Sequence, residues 1–528
     1  MSKKTKPRRG TPARKARAAS QAPAARKASA SSTAPAASLT PSEQAQADAI
    51  VNEVLSGLWA GIESGDPLRA ELETATCLAI PRVLGEQDPG ENEKFIATVL
   101  VDGAARRRTP DGAALLRMLM ALGTPETKRA ASRALADLTG AGIYPPEWVT
   151  EAGKVTPGQA WRRYDVFGDE EAIAVTFGYG EEAEHGIVAQ VDLAGIPVAT
   201  AIGVSTDAAR LIGAISGDDK EFGRSERISL AEARRRLLTP VDRADRDPSV
   251  ELSTQSRAYL PIARSRIRRL PGDDTQPGPV FTAADRAAAV DEFMKSPLAA
   301  EAVAADEEST RFWAEVLTGY SGRVPGEPPV QVGPRKLANI LLGHVPNTFV
   351  LSPAQRGHLE PAVTAWVRWS ADRRDLGEAA TAFLVEQVPT VLSQFDKAYE
   401  DPDAIAIRGY TSGLAASDAD VSWLSGHVGR RMFALPLPER HAPLDLADPA
   451  DRRRLVEAEF GQCTPPPGLS REEFVEAAYR VVEELWRDEE SPTFQAASRM
   501  FSDGISRHDL IHRLAGAPAP TMGSSIIH

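Results

Sequence analysis

Two of the chain's eight histidines, His508 and His512, stand four residues apart in Gly504-Ile505-Ser506-Arg507-His508-Asp509-Leu510-Ile511-His512. On an α-helix that spacing puts both imidazoles on one face. Paired imidazoles are ligands for zinc or another divalent transition metal. The order His-Asp-x-x-His is that of the zinc-protease motif His-Glu-x-x-His with the acid one methylene shorter. The shorter acid misplaces a general base, and a third ligand must come from elsewhere in the fold. Asp503, Glu489, Glu490, His427 and His441 are the candidates. A structural reading competes, in which both histidines hydrogen-bond a neighbouring helix, and the sequence assigns no catalytic residue.

The surrounding residues read as helix punctuation. Gly504 ends one helix, Ser506 caps the next, Asp509 is its acidic partner at the third helical position, and Ile505 and Leu510 form a hydrophobic staple. Capping explains each of these but not the histidines. Upstream, Ser470 and Glu473 form a capping box before the apolar stripe Phe474, Ala477, Ala478, Val481 and Leu485. Ser491-Pro492 opens a helix carrying Phe494, Ala497 and Phe501. Pro465-Pro466-Pro467-Gly468 is a stiff hinge into this group. The spacing predicts a C-terminal helical unit over 446–516, followed by a disordered tail over 517–528.

The rest of the 528 residues divides by pattern. Residues 1–41 carry ten Lys or Arg, no acid and almost no large apolar side chain, which predicts a disordered basic tail. Capped apolar periodicity over 42–153 predicts a helical bundle. Ala172–Phe177, Gly186–Val191 and Val198–Ile202 are rich in strand formers and joined by links too short for helical crossovers. They predict an antiparallel meander, with Arg227-Ile228-Ser229 as an edge strand and a helix after Ser229, within a unit spanning 154–245. A helical region then runs over 246–445, in which Trp366 and Trp369 are core residues. Its first helix, Ser256–Leu270, carries five arginines on what reads as a solvated face. The segments Gly168-Asp169-Glu170-Glu171 and Gly180-Glu181-Glu182 read as solvated acidic turns without the alternate-position spacing of a calcium loop, and His185 as an exposed neighbour. The expected fold class is α+β and mostly α-helical, with helical bundles flanking one small antiparallel β-sheet.

The formal net charge of −12 hides a split, because without residues 1–41 the chain carries 51 basic against 73 acidic side chains, a net −22. A body that acidic repels nucleic acid, which leaves the basic tail as the only expected nucleic-acid contact. Cys77 and Cys463 lie far apart without a CxxC, as in a reducing cytoplasm. No apolar run is long enough to span a membrane, and no apolar segment follows the basic N-terminus as in an export signal. There is no GxxxxGK[ST] loop, no GxGxxG after a strand and no GxSxG elbow.

Gly142-Ile143-Tyr144-Pro145-Pro146-Glu147-Trp148, Asp165-Val166-Phe167-Gly168-Asp169 with the later Val191-Asp192, and Trp366-Val367-Arg368-Trp369 with Asp372-Arg373-Arg374-Asp375-Leu376 form a recognisable set. In these stretches, and in the closing Gly-x-Ser-Arg-His-x-x-x-His, the chain resembles a family of uncharacterised multi-domain proteins of GC-rich bacteria. The resemblance covers much of 60–400 and 470–515. It implies a shared architecture and no activity. Where such relatives are expected to carry a histidine after the Val-Asp pair, this chain has Leu193. The expected function is that of a non-catalytic cytoplasmic regulatory or interaction protein with a protein partner. The alternatives are a metal-dependent hydrolase using His508 and His512, and a nucleic-acid-associated protein using residues 1–41.

Overall fold

The computed structural model describes residues 56–83, 89–180, 184–217, 222–247, 250–272, 281–321, 326–411, 421–436, 444, 446–487, 491–502 and 505–516. The expected tails over 1–41 and 517–528, and the Gly180-Glu181-Glu182 turn after its glycine, lie outside them. The fold is α+β and mostly helical, with one five-stranded antiparallel sheet. Among the described residues no helix is long and apolar enough to cross a membrane.

The first bundle comprises the helices Pro67–Val83, Pro89–Arg107, Pro110–Leu122 and Pro125–Gly140. Each begins with proline, whose fixed φ suits the first helical turn and whose missing N–H costs nothing there. Thr109 and Thr124 cap the last two through their hydroxyls. The helix Pro110–Leu122 buries Leu115, Leu116, Met118, Leu119 and Leu122, so its centre is apolar on most sides.

The sheet has strands β1 Thr156–Asp165, β2 Glu170–Gly178, β3 His185–Asp192, β4 Val198–Ser205 and β5 Gly223–Ile228, in the order β4-β3-β2-β1-β5. The expected meander is β2–β3–β4, with Ile173 opposite Ala189 and Val191 opposite Ala199. β1 is an addition. Its residues TPGQAWRRYD hold few strand formers, and pairing on both sides, Trp161 against Ala174 and Arg227, makes it a strand. Helices Leu230–Arg246 and Thr254–Ile267 cover the face carrying Ile173, Val175, Phe177, Ile187 and Ala189. The helix Thr254–Ile267 therefore belongs to the sheet's core, so this core runs past the expected boundary at 245, because Leu260, Ala263 and Ile267 complete it.

Three polar expectations are overturned by packing. His185 is fully buried, and so is Arg266 of the expected solvated arginine face. Asp169 and Glu171 of the expected solvated turn are buried too. Arg266 forms an ion pair with Glu71 of the first bundle and donates from Nε to His185 Nε2 at 3.1 Å. Tyr179 donates to Glu71 Oε2 at 2.8 Å, and the Gly153 amide donates to Glu71 Oε1 at 2.6 Å. One carboxylate thus ties the bundle, the sheet and the helix Thr254–Ile267 together. A charge can be buried there because each oxygen has donors. Glu171 is held likewise by Arg162 and Arg236.

The β1–β2 turn is the second junction. The Asp165 carboxylate accepts the amides of Gly168, Asp169 and Glu170, and Gly168 takes φ +79°, a left-handed conformation open to glycine at little cost. This closes the turn on itself and aims Asp169 at the next helical region. There Asp169 accepts the amides of Arg335 (2.6 Å) and Lys336 (3.3 Å) in the first turn of the helix Pro334–Asn339. A Cβ on Gly333 would stand 2.4 Å from the Asp169 carboxylate, so the approach needs a glycine. Arg374 donates to the carbonyls of Val166, Phe167 and Val332. Arg374→Ala leaves three carbonyls without this cationic donor, and an expected loss of about 2 kcal/mol follows from the usual worth of charged hydrogen bonds. Urea unfolding followed by tryptophan fluorescence measures it, and an unchanged midpoint would dismiss the junction as unimportant.

The second helical region has its core around Phe293, Trp313, Trp366 and Trp369, with Phe167 of the turn inserted into it. The C-terminal unit has a separate core that includes Tyr410, Ala434, Leu435 and Leu446. It thus starts before the expected boundary at 446, since the helix Pro402–Thr411 approaches so closely that a Cβ on Gly409 would stand 2.5 Å from Leu446 Cβ.

Candidate functional site

The C-terminal unit contains the helices Val421–Ala434, Pro449–Phe460, Arg471–Arg487, Pro492–Ser502 and Arg507–Gly516. Phe474, Ala478 and Leu485 of the expected stripe fill its centre with Val482, Leu510 and Ile511, while Ala477 and Val481 are only partly buried at its edge. Arg452 pairs with Glu483 through two hydrogen bonds of 2.6 and 3.1 Å and lies over the Trp486 ring, an ion pair sealed from water. The helix Arg507–Gly516 starts as read from its residues. Ser506 accepts the Asp509 amide, and its hydroxyl donates to Asp509 Oδ2 at 2.7 Å. Asp509 is thereby committed to the cap.

His508 and His512 do share one face of this helix, with ring centroids 6.5 Å apart. They are nevertheless engaged separately. His512 Nε2 lies 3.0 Å from the Thr464 carbonyl, and its ring packs on Phe474. His508 stacks flat on Phe460, 4.8 Å between centroids and 7° between planes. Its Nδ1 lies 3.1 Å from Glu459 Oε1, and its Nε2 lies 3.6 Å from Cys463 Sγ. Among the described residues, no three of His, Cys, Asp and Glu converge to hold a metal ion. Asp503, Glu489, Glu490 and His441 lie outside the described residues, as does the side chain of His427.

Glu459 and Cys463 come from the end of the helix Pro449–Phe460 and the segment just after it. They flank its stop at Gly461, whose amide closes the last turn on the Glu457 carbonyl. Arg507 holds the same Glu459 oxygen, with Nη1 2.6 Å from Oε1. Its Nε and Nη2 donate to the Phe433 and Ala434 carbonyls at the end of the helix Val421–Ala434. A carboxylate can only accept, so Nδ1 of His508 carries a proton, and in the neutral ring Nε2 is the nitrogen whose lone pair faces the thiol. The result is a thiol, an imidazole acting as acceptor, and a carboxylate that sets the imidazole's tautomer. His508 is 43% exposed on its side chain and Cys463 is half-buried, so neither residue belongs to the closed core. Sequence reading missed Cys463 and Glu459. Their spacing of four at a helix end was visible, but their partnership with His508, 45 and 49 residues away, was not.

Away from the C-terminal unit, a groove lies beside a π-helical turn, Ile340–His344. This open groove of about 580 Å³ is lined by Tyr320, Asn339, Leu342, His344, Asn347 and Thr348. Within it Thr348 Oγ1 lies 3.3 Å from His344 Nδ1, and the His344 ring packs against Tyr320 and Phe349. No protein-family model, curated protein or solved structure matches the chain.

Proposed function

We propose that this is a non-catalytic regulatory or interaction protein that docks a protein partner on its C-terminal unit. The observation that carries the reading is a set of exposed apolar side chains at and beside the end of the helix Val421–Ala434. Phe433 and Phe501 meet edge to face at 5.2 Å, yet Phe501 remains 55% exposed and Met432, next to Phe433, 49% exposed. Exposed aromatic and methionine side chains are the kinds enriched in interface cores, and methionine adapts its shape to what it meets. Other exposed apolar residues, such as Tyr144 and Val350, stand apart in the chain and need no such explanation. The alternatives rest on less. Metal-dependent hydrolysis has two imidazoles engaged apart and an acid committed to a cap, and residues 1–41 lie outside the described residues.

The test is affinity capture and cross-linking with the full chain, beside Phe501→Ser and Met432→Ser. Both side chains are about half exposed and neither belongs to the buried core, so neither change empties it. The expected outcome is a partner held by the parent chain and lost by both variants at unchanged thermal stability. A partner retained by both variants, or none recovered with the parent chain, would reject the reading.

A further inference from the structure

We infer that Cys463 is a base-activated thiol and a site of oxidation by hydrogen peroxide, with His508 as its proton acceptor and Glu459 as the residue that positions His508. The inference goes beyond the docking role above and does not depend on it.

The order of contacts supports it. Cys463 Sγ faces His508 Nε2 at 3.6 Å, a sulfur–nitrogen hydrogen-bond distance, and His508 Nδ1 faces Glu459 Oε1 at 3.1 Å. A nucleophile bonded to a base, and a base oriented by a third group, is the arrangement that activates a thiol. When Nε2 takes the Sγ proton, the imidazolium stands between the new thiolate and the Glu459 carboxylate. Phe460, stacked on the ring, keeps the imidazole in that plane.

The Sγ proton has two acceptors at 3.6 Å, His508 Nε2 and the Glu459 carbonyl, and of these only the imidazole is a base that can take the proton away. The sulfur electron pair attacks one peroxide oxygen, an S–O bond forms and the O–O bond breaks. The departing hydroxide takes the proton from His508 and leaves as water. Sulfur is oxidised by two electrons to the sulfenic acid, and peroxide is reduced.

Cys77 is the built-in reference. It is 2% exposed in the helix Pro67–Val83, and burial pushes its thiol up to about 12, so it stays protonated and inert while the bundle is folded.

The test treats the full chain at pH 7 with hydrogen peroxide in the presence of dimedone, which traps sulfenic acids, and reads both cysteine peptides by mass spectrometry. Cys463 is expected to be trapped and Cys77 not. Cys463 should react about tenfold faster than N-acetylcysteine, since His508 Nε2 stands beside the sulfur to take its proton as the S–O bond forms. His508→Ala is expected to remove that advantage, and Glu459→Gln to remove part of it. Labelling of Cys77 in a variant would reveal unfolding, and the parent chain's rate against N-acetylcysteine then decides alone. A parent rate no faster than N-acetylcysteine overturns the inference. So does an unchanged rate in a folded His508→Ala variant, or a stoichiometric metal ion that must be removed before Cys463 reacts.

Discussion

Arg266→Met is expected to destabilise the joint between the first bundle and the sheet by about 3–5 kcal/mol, the usual result of removing one partner from a buried ion pair. Arg266 and Glu71 are both fully buried, and their pairing is supplemented by Tyr179, His185 and the Gly153 amide. Without the guanidinium, the Glu71 charge stays inside with one hydroxyl and one amide as donors. The double variant Glu71→Leu/Arg266→Met removes both charges and is expected to recover much of the loss, because apolar residues of similar volume serve such sites well. The readout is the urea dependence of Cys77 alkylation, since Cys77 is covered by the same bundle. Equal protection in Arg266→Met and the parent chain would show that the pair does not hold the joint.

Acid will act on the sheet in two opposite ways, and single variants should separate them. Burial first, and the Arg266 charge second, lower the His185 imidazole from its ordinary 6.5 to about 3. Unfolded His185 binds a proton below pH 6.5 that the folded residue refuses. Its contribution is therefore complete above pH 6.5 and is lost as pH falls towards 3, at ~1.4 kcal/mol per pH unit. Burial also pushes the Asp169 carboxyl from 3.8 to about 6, against the amides of Arg335 and Lys336 that favour its charge. Folded Asp169 holds a proton between pH 4 and 6 that the unfolded chain releases, so this group adds stability as pH falls through that window. The two slopes nearly cancel between pH 6 and 4 in the parent chain. Asp169→Asn is expected to expose the His185 slope, with stability falling by ~1.4 kcal/mol per pH unit as pH drops from 6 to 4. His185→Gln is expected to expose the opposite slope. Urea midpoints at pH 4, 5, 6 and 7 measure both. Parallel pH profiles in the two variants would disprove the assignment.

Helices with clear punctuation were legible residue by residue. Thr124-Pro125, Ser470 with Glu473, and Ser506 with Asp509 start helices in the structure where their side chains predict, because a cap acts within four residues. The β2–β3–β4 meander was legible for a similar reason, as strand formers alternate with short links. β1 was not, since Pro157, Gly158, Gln159, Arg162 and Arg163 have weak strand preference and become a strand only between two neighbours. The candidate site was half legible. A spacing of four placed His508 and His512 on one face, while Cys463, Glu459 and Arg507 entered through tertiary contacts alone.

The sequence by itself determined the helix starts, the meander, the acidic balance of the body and the shared face of the histidines, all consequences of local geometry or of counting charges. Only the tertiary structure decided which charges are buried. An arginine on a basic helix, a glutamate in the first bundle and a histidine beside an acidic segment look like surface residues in the chain. The energy that buries them comes from one another, and they stand 195 and 81 residues apart. The same is true at the C-terminus, where the role of His508 is set by a thiol and a carboxylate from another helix end, groups whose approach no local spacing encodes.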